Sequence, residues 1–143
     1  MREALAESDA AGEAGQLPIG AVLVLDGEIV SRGRNRYLER RSQLAHAELE
    51  ALLEGGEAIF SRHGDCTLYS TVEPCPMCLG ALVMADVPHV VFAAHDANAG
   101  MRQMTDIDYV ARHIRTYEGG ILEQESLALI ALYDSRLLAY IQG

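Results

Sequence analysis

The stretch Cys66-Thr67-Leu68-Tyr69-Ser70-Thr71-Val72-Glu73-Pro74-Cys75-Pro76-Met77-Cys78-Leu79-Gly80-Ala81-Leu82-Val83-Met84-Ala85 changes character halfway. Up to Val72 it is rich in Thr, Tyr and Val, which suit a pleated strand. A Pro-containing turn follows, and Cys75 to Ala85 has helical composition. Val87 to Ala94 is apolar and strand-like again. Upstream, Ile19 to Leu25 is a β-branched run, Asp26-Gly27 is a two-residue hairpin signal, and Glu28 to Arg34 alternates as its partner strand. Between hairpin and quoted stretch lie a polar loop, Asn35 to Leu44, and a short helix, His46 to Leu53, closed by Gly55-Gly56. Arg2 to Ala14 reads as a first helix stopped at Gly15. Downstream come a long polar loop, His95 to Thr105, a strand at Ile114 to Tyr117, and one Leu-rich amphipathic helix, Glu123 to Leu138. Strands alternating with helices predict an α/β sandwich with helices on both faces of one sheet.

At 143 residues the chain is sized for a single domain, residues 1–143, with no internal repeat or linker. Half of it is hydrophobic, which excludes disorder, and its longest apolar runs fall far short of a membrane span. Met1 to Gly15 lacks the pattern of a secretory signal, so a cytoplasmic location is expected. Three cysteines in such a setting are free for metal or core rather than for a disulfide framework. The formal charge is −10, with basic residues gathered weakly at Arg32, Arg34, Arg36, Arg40 and Arg41. Polyanion binders commonly carry a basic face, so this balance counts against a nucleic-acid substrate, and the arginines read rather as a solvated loop and strand edge.

His46-Ala47-Glu48 offers an imidazole and a carboxylate two residues apart at a helix start, and Cys75 and Cys78 are spaced for one helical turn. Two sulfurs and one nitrogen suit Zn²⁺. A structural zinc takes four protein ligands, but Cys66, the remaining thiol, stands a strand away, about 20 Å at roughly 3.3 Å per residue. It reads as a buried apolar residue. An open zinc position beside the uncoordinated Glu48 is a hydrolytic arrangement, in which the metal acidifies water and the carboxylate relays the proton.

These motifs resemble the zinc-dependent cytidine and deoxycytidylate deaminase superfamily, in the branch that holds guanine deaminase, fungal cytosine deaminase and bacterial tRNA adenosine deaminase. The likeness runs through Leu17-Pro18-Ile19-Gly20-Ala21-Val22, Gly33-Arg34-Asn35, Ala45-His46-Ala47-Glu48, the quoted stretch, Val90-Val91-Phe92-Ala93-Ala94 and Glu118-Gly119-Gly120-Ile121-Leu122. It implies a three-layer α/β/α fold with a five-stranded mixed sheet, usually a homodimer, with His46, Cys75 and Cys78 on zinc and Glu48 moving protons. It further implies substrate contacts from Asn35, the Ala47 amide and Ile19. Asn35 reads alternatively as a turn former. Asp96, in the loop after the third strand, and Tyr133, in the C-terminal segment with Asp134 and Tyr140, are further candidates to face the substrate, although that segment also reads as plain amphipathic packing.

The tRNA-editing branch carries Asp-Pro-Thr before its Ala-His-Ala-Glu, where this chain has Arg41-Ser42-Gln43-Leu44. That departure, the acidic charge and the likeness of Glu73-Pro74-Cys75-Pro76-Met77-Cys78-Leu79-Gly80 to the guanine deaminases favour a small-molecule substrate and no nucleic-acid partner: a free nucleobase or aminated azaheterocycle, guanine-, cytosine-, isocytosine- or triazine-like. A tRNA adenosine deaminase is the alternative, and a non-catalytic zinc-binding subunit the third reading.

Overall fold

The computed structural model describes all 143 residues. The hairpin forms as the sequence predicts: β1 (Gly20–Leu25) and β2 (Glu28–Arg34) are joined by Asp26 and Gly27, both at positive φ (53° and 81°). That is the backbone a two-residue turn demands, and it is why Asp-Gly serves there. β1 pairs on its other side with β3 (Thr67–Val72), antiparallel, while β4 (His89–Ala94) and β5 (Thr116–Glu118) add in parallel. The result is the expected five-stranded mixed sheet, ordered β2-β1-β3-β4-β5.

Helices cover both faces, giving the expected α/β/α layers. On one face lie α1 (Arg2–Glu13), α6 (Glu123–Tyr133) and α7 (Ser135–Gln142), around a small apolar cluster of Val72, Ala94, Ile130 and Ile141. The other face holds the main core, where α3 (Ala47–Arg62), α4 (Pro76–Met84) and α5 (Asp108–His113) bury Ala51, Leu79, Leu82 and Val110 against Leu23, Leu68 and Phe92. Two glycines seat the helices. A Cβ on Gly20 would lie 2.2 Å from the Ala4 carbonyl oxygen of α1, and one on Gly33 would lie 2.1 Å from the Ala47 carbonyl oxygen of α3. Ala21 pairs with Gly33 and Gly20 with Arg34, so neighbouring rungs of one hairpin present opposite faces to the two layers.

Several element boundaries differ from expectation. β4 starts at His89 rather than Val87, and β5 starts at Thr116 rather than Ile114, because Ile114 closes α5. Two helices differ more. The helix expected to close at Gly55-Gly56 kinks at Gly56 (φ 14°, ψ −98°) and continues to Arg62, because Gly55 packs within the core beside Leu23 and Ser31. The single helix expected over Glu123 to Leu138 is broken at Asp134, whose carboxylate accepts from the amides of Arg136 and Leu137 and so starts α7 as a new helix. A short helix, α2 (Tyr37–Arg40), and α5 form in segments that carried no helix signal. No helix is long and apolar enough to cross a membrane.

The Gly33 contact is backbone against backbone, so it cannot relax by a rotamer change. Gly33→Ala is expected to cost about 3 kcal/mol or more in denaturant unfolding, by levering α3 off β2.

Candidate active site

Two helices begin at one point. His46 is the residue preceding α3 and Cys75 the residue preceding α4, both in extended conformation, and Cys78 follows one turn into α4. Pro76 at the first helical position fixes the backbone there and lacks only an N–H that would have no intrahelical acceptor. The three donor atoms converge: His46 Nδ1 lies 3.7 Å from Cys75 Sγ and 3.5 Å from Cys78 Sγ, and the sulfurs are 3.6 Å apart. A tetrahedral zinc with ordinary Zn–S and Zn–N bonds separates its ligands by ~3.6 to 3.8 Å. The donor set and its edges therefore fit this metal. No fourth His, Cys, Asp or Glu joins the cluster. Cys66 is fully buried elsewhere, its sulfur 3.6 Å from the Arg62 carbonyl.

The charges follow from this geometry. The hydrogen bond shared with Cys78, reinforced by His46, draws the Cys75 thiol down to about 4, while Cys78, beside that sulfur and buried, is pushed up. The same contact with Cys75 raises His46. One proton between two sulfurs sets them apart, and a cation bound between them would displace it. Glu48 occupies the first turn of α3, is 4% exposed, and is raised by burial; Ser70 Oγ donates to its Oε1 at 3.4 Å.

A cavity of about 220 Å³ opens over this cluster. Five expected residues line it along with the ligands His46 and Cys75: Ile19, Asn35, Ala47, Glu48 and Asp96. Asn35 acts as a turn former, its Oδ1 accepting from the Tyr37 amide at 3.2 Å, and its buried side chain also forms cavity wall. The Ala47 amide, at the first position of α3, has no intrahelical acceptor. Asp96 caps its own loop by accepting from the amides of Asn98 and Ala99.

Tyr133 is the exception. The structure does not bring it to the cavity: its hydroxyl donates to Asp9 Oδ1 at 2.7 Å, and its ring rests on Gly12, so it clasps α6 to α1. Asp134 does not reach the cavity either, its carboxylate being taken up in starting α7, so of the three C-terminal candidates Tyr140 alone lines it, with Leu137 alongside. Glu73, Leu17 and Ala99 also line it without having been singled out from sequence. A signal for Glu73 was present in its position, a charged residue between an apolar strand and a ligand-bearing turn.

Residues 1–94 match the family model described as the cytidine and deoxycytidylate deaminase zinc-binding region. All three candidate ligands and Glu48 lie within that match. The chain is 40% identical over 144 residues to the tRNA-specific adenosine deaminase of Bacillus subtilis, covering 96% of this chain and 88% of that protein. It is 50% identical over 95 residues to the chloroplastic tRNA(adenine(34)) deaminase of Arabidopsis thaliana, 66% of this chain but only 7% of that protein. Among solved structures, one from work on A-to-I editing by tRNA:A34 deaminases superimposes with a TM-score of 0.78 and 35% identity, covering 90% of this chain and 96% of that one. The guanine deaminase of Nitrosomonas europaea gives 0.77 and 25%, over 92% and 81%.

His46→Ala, Cys75→Ser and Cys78→Ser are each expected to cut bound zinc from about one per chain to a small fraction by elemental analysis, with Cys66→Ser unchanged. Chelation should lower the melting temperature of the unmodified protein, because the ligands meet only in the folded chain.

Proposed function

The chain belongs to the cytidine and deoxycytidylate deaminase zinc-binding family, and on that premise we propose that it hydrolyses the exocyclic amine of adenosine within a tRNA, in the cytoplasm, yielding inosine and ammonia. The observation that carries this reading is the 40% identity to a tRNA-specific adenosine deaminase along nearly the whole of both chains. It corrects the expectation of a free nucleobase or azaheterocycle substrate with no nucleic-acid partner: curated relatives at 40% and 41% identity over 96% and 70% of the chain are named tRNA-specific adenosine deaminases, whereas guanine deaminase structures match at 25% over 92% of the chain or at 36% over only 65% of it.

Two of the grounds for the small-ring expectation have physical answers. Arg41-Ser42-Gln43-Leu44 replaces the Asp-Pro-Thr segment, yet it turns the chain by its own means: Ser42 Oγ accepts from the Leu44 amide, and the Ala45 amide donates back to the Ser42 carbonyl, delivering His46 to the cluster. The charge of −10 is a sum over the whole molecule, whereas phosphate contacts are local.

His46, Cys75 and Cys78 would hold a zinc ion, which when bound would supply Lewis acidity to this site. Glu48 takes one proton from the attacking water at its carboxylate and passes it to the ring nitrogen as the C–O bond forms, then carries the second proton of that oxygen to the amine as the C–N bond breaks and ammonia leaves. Burial raises its proton affinity towards that task. Asn35 has no chain partner for its Nδ2, which is left to donate to the base, and the Ala47 amide is a second donor beside it. Ile19, Leu137 and Tyr140 close on the ring faces and exclude water. A cavity of this size admits one extruded base, as chemistry on a base in RNA requires. A purely structural zinc would need a fourth protein ligand, which the cluster lacks.

The test is inosine formation in tRNA and in an anticodon stem-loop, run beside free adenine, guanine and cytosine. Turnover is expected on the RNA substrates alone, with Glu48→Gln lowering it by about 10²- to 10⁴-fold at unchanged zinc content. Ammonia released from a free base, with none from RNA, would refute the proposal. Asn35→Ala should raise KM on the stem-loop by about tenfold, the loss of one hydrogen bond in a closed cavity.

A further inference from the structure

Apart from Glu48, Glu73 is the only buried carboxylate in the chain, 7% exposed, and the chemistry above makes no use of it. It follows β3 directly, two residues before Cys75, and its own amide donates to the Ala94 carbonyl at the end of β4. Its side chain is the centre of a small network. Oε1 accepts from the Tyr117 hydroxyl at 3.1 Å and from the Arg102 amide at 3.2 Å, while Oε2 accepts from the Asp96 amide at 3.3 Å. The half-exposed His95 imidazole stands 3.7 Å away. Residues 95–102 are thus wrapped on one carboxylate, and Gly100 marks the closest approach, since a Cβ there would lie 2.4 Å from Glu73 Oε2.

That loop is also cavity wall. Asp96 and Ala99 face the cavity, and the Ala97 amide donates to the Ile141 carbonyl at 2.8 Å, tying the loop to the end of α7 that carries Tyr140. Without the carboxylate, two amides and a hydroxyl would converge on nothing.

We propose that Glu73 is the positioning residue of this site: it stations the 96–102 loop, and through Ala97 and Ile141 the Tyr140 side of α7, over the substrate without touching the reacting atoms. The proposal rests on reading the cavity as the substrate pocket. The donor pattern explains why the residue must be a carboxylate. Three donors point at its two oxygens, whereas a glutamine offers one acceptor oxygen and turns an NH₂ group against an amide N–H. Shape is kept and the pattern is broken.

The experiment compares the zinc-loaded full chain with Glu73→Gln, Gly100→Ala and Tyr117→Phe by amide hydrogen exchange, zinc content, and kcat and KM on the anticodon stem-loop. Glu73→Gln is expected to speed exchange in residues 96–102 by about tenfold or more and to raise KM by a similar factor, with kcat within about threefold and zinc unchanged. Gly100→Ala pushes on the same contact from the loop side and should reproduce both effects; Tyr117→Phe, removing one donor of three, should give a smaller change of the same sign. Exchange confined to its normal rate in the loop, exchange rising throughout the chain, or kcat falling in step with zinc would each overturn the proposal. Exchange needs no substrate, so a loosened loop in Glu73→Gln beside a wild type inert on RNA would uphold the anchoring and overturn only the tRNA reading.

Discussion

The site depends on two helices starting within a few ångströms of each other. His46 precedes α3 and Cys75 precedes α4, 29 residues apart in sequence, and the metal edges of 3.5–3.7 Å exist only if both helices are held to that tolerance. The hold is steric. α3 lies on β2 at a distance that permits no Cβ on Gly33, and α4 shares its buried face with Ala47 and Ala51 of α3 through Leu79 and Leu82. Packing at this density transmits displacement, so a shift at the hairpin is a shift at the ligand.

Local chemistry made most of this frame legible before any coordinates. Asp26-Gly27 could scarcely be anything but a tight turn, and β2 falls where its alternation placed it. Reading failed where a residue's meaning depended on what lay across from it. Gly55-Gly56 looks like a helix stop, but Gly55 has a packing reason to be small and the helix resumes. Asp134 inside a Leu-rich run looks like one more polar position on an amphipathic helix. Its carboxylate instead captures two amides ahead of it, so the apolar pattern continues on a differently directed helix.

The same distinction runs through the site. Ligands and Glu48 are recognisable because metal chemistry restricts residue type and spacing together. Ile19, Asn35 and Ala47 were legible by resemblance and Asp96 by its place in the loop after the third strand, and the four do meet in one cavity. Tyr133 was misplaced because its partners on α1, Asp9 and Gly12, are not visible in the local sequence, while Tyr140, named beside it, does reach the cavity. The substrate class was misjudged because net charge and a turn tripeptide are weak proxies for the surface that meets a phosphate. Here Ser42 turns the chain ahead of His46 with its own hydroxyl.

The parallel pairing of β3 with β4 carries a consequence for how such a chain can vary. Parallel strands cannot be joined by a tight turn; the connection must cross over and needs roughly a dozen residues or more. Here residues 73–88 are that crossover, and they also hold both thiolates and α4. Deletions are therefore doubly forbidden in this segment, once by topology and once by the metal, while the polar stretch beyond the Gly56 kink answers to neither constraint. Length drift among descendants of such a chain would collect at that end of α3 and leave the crossover at constant length.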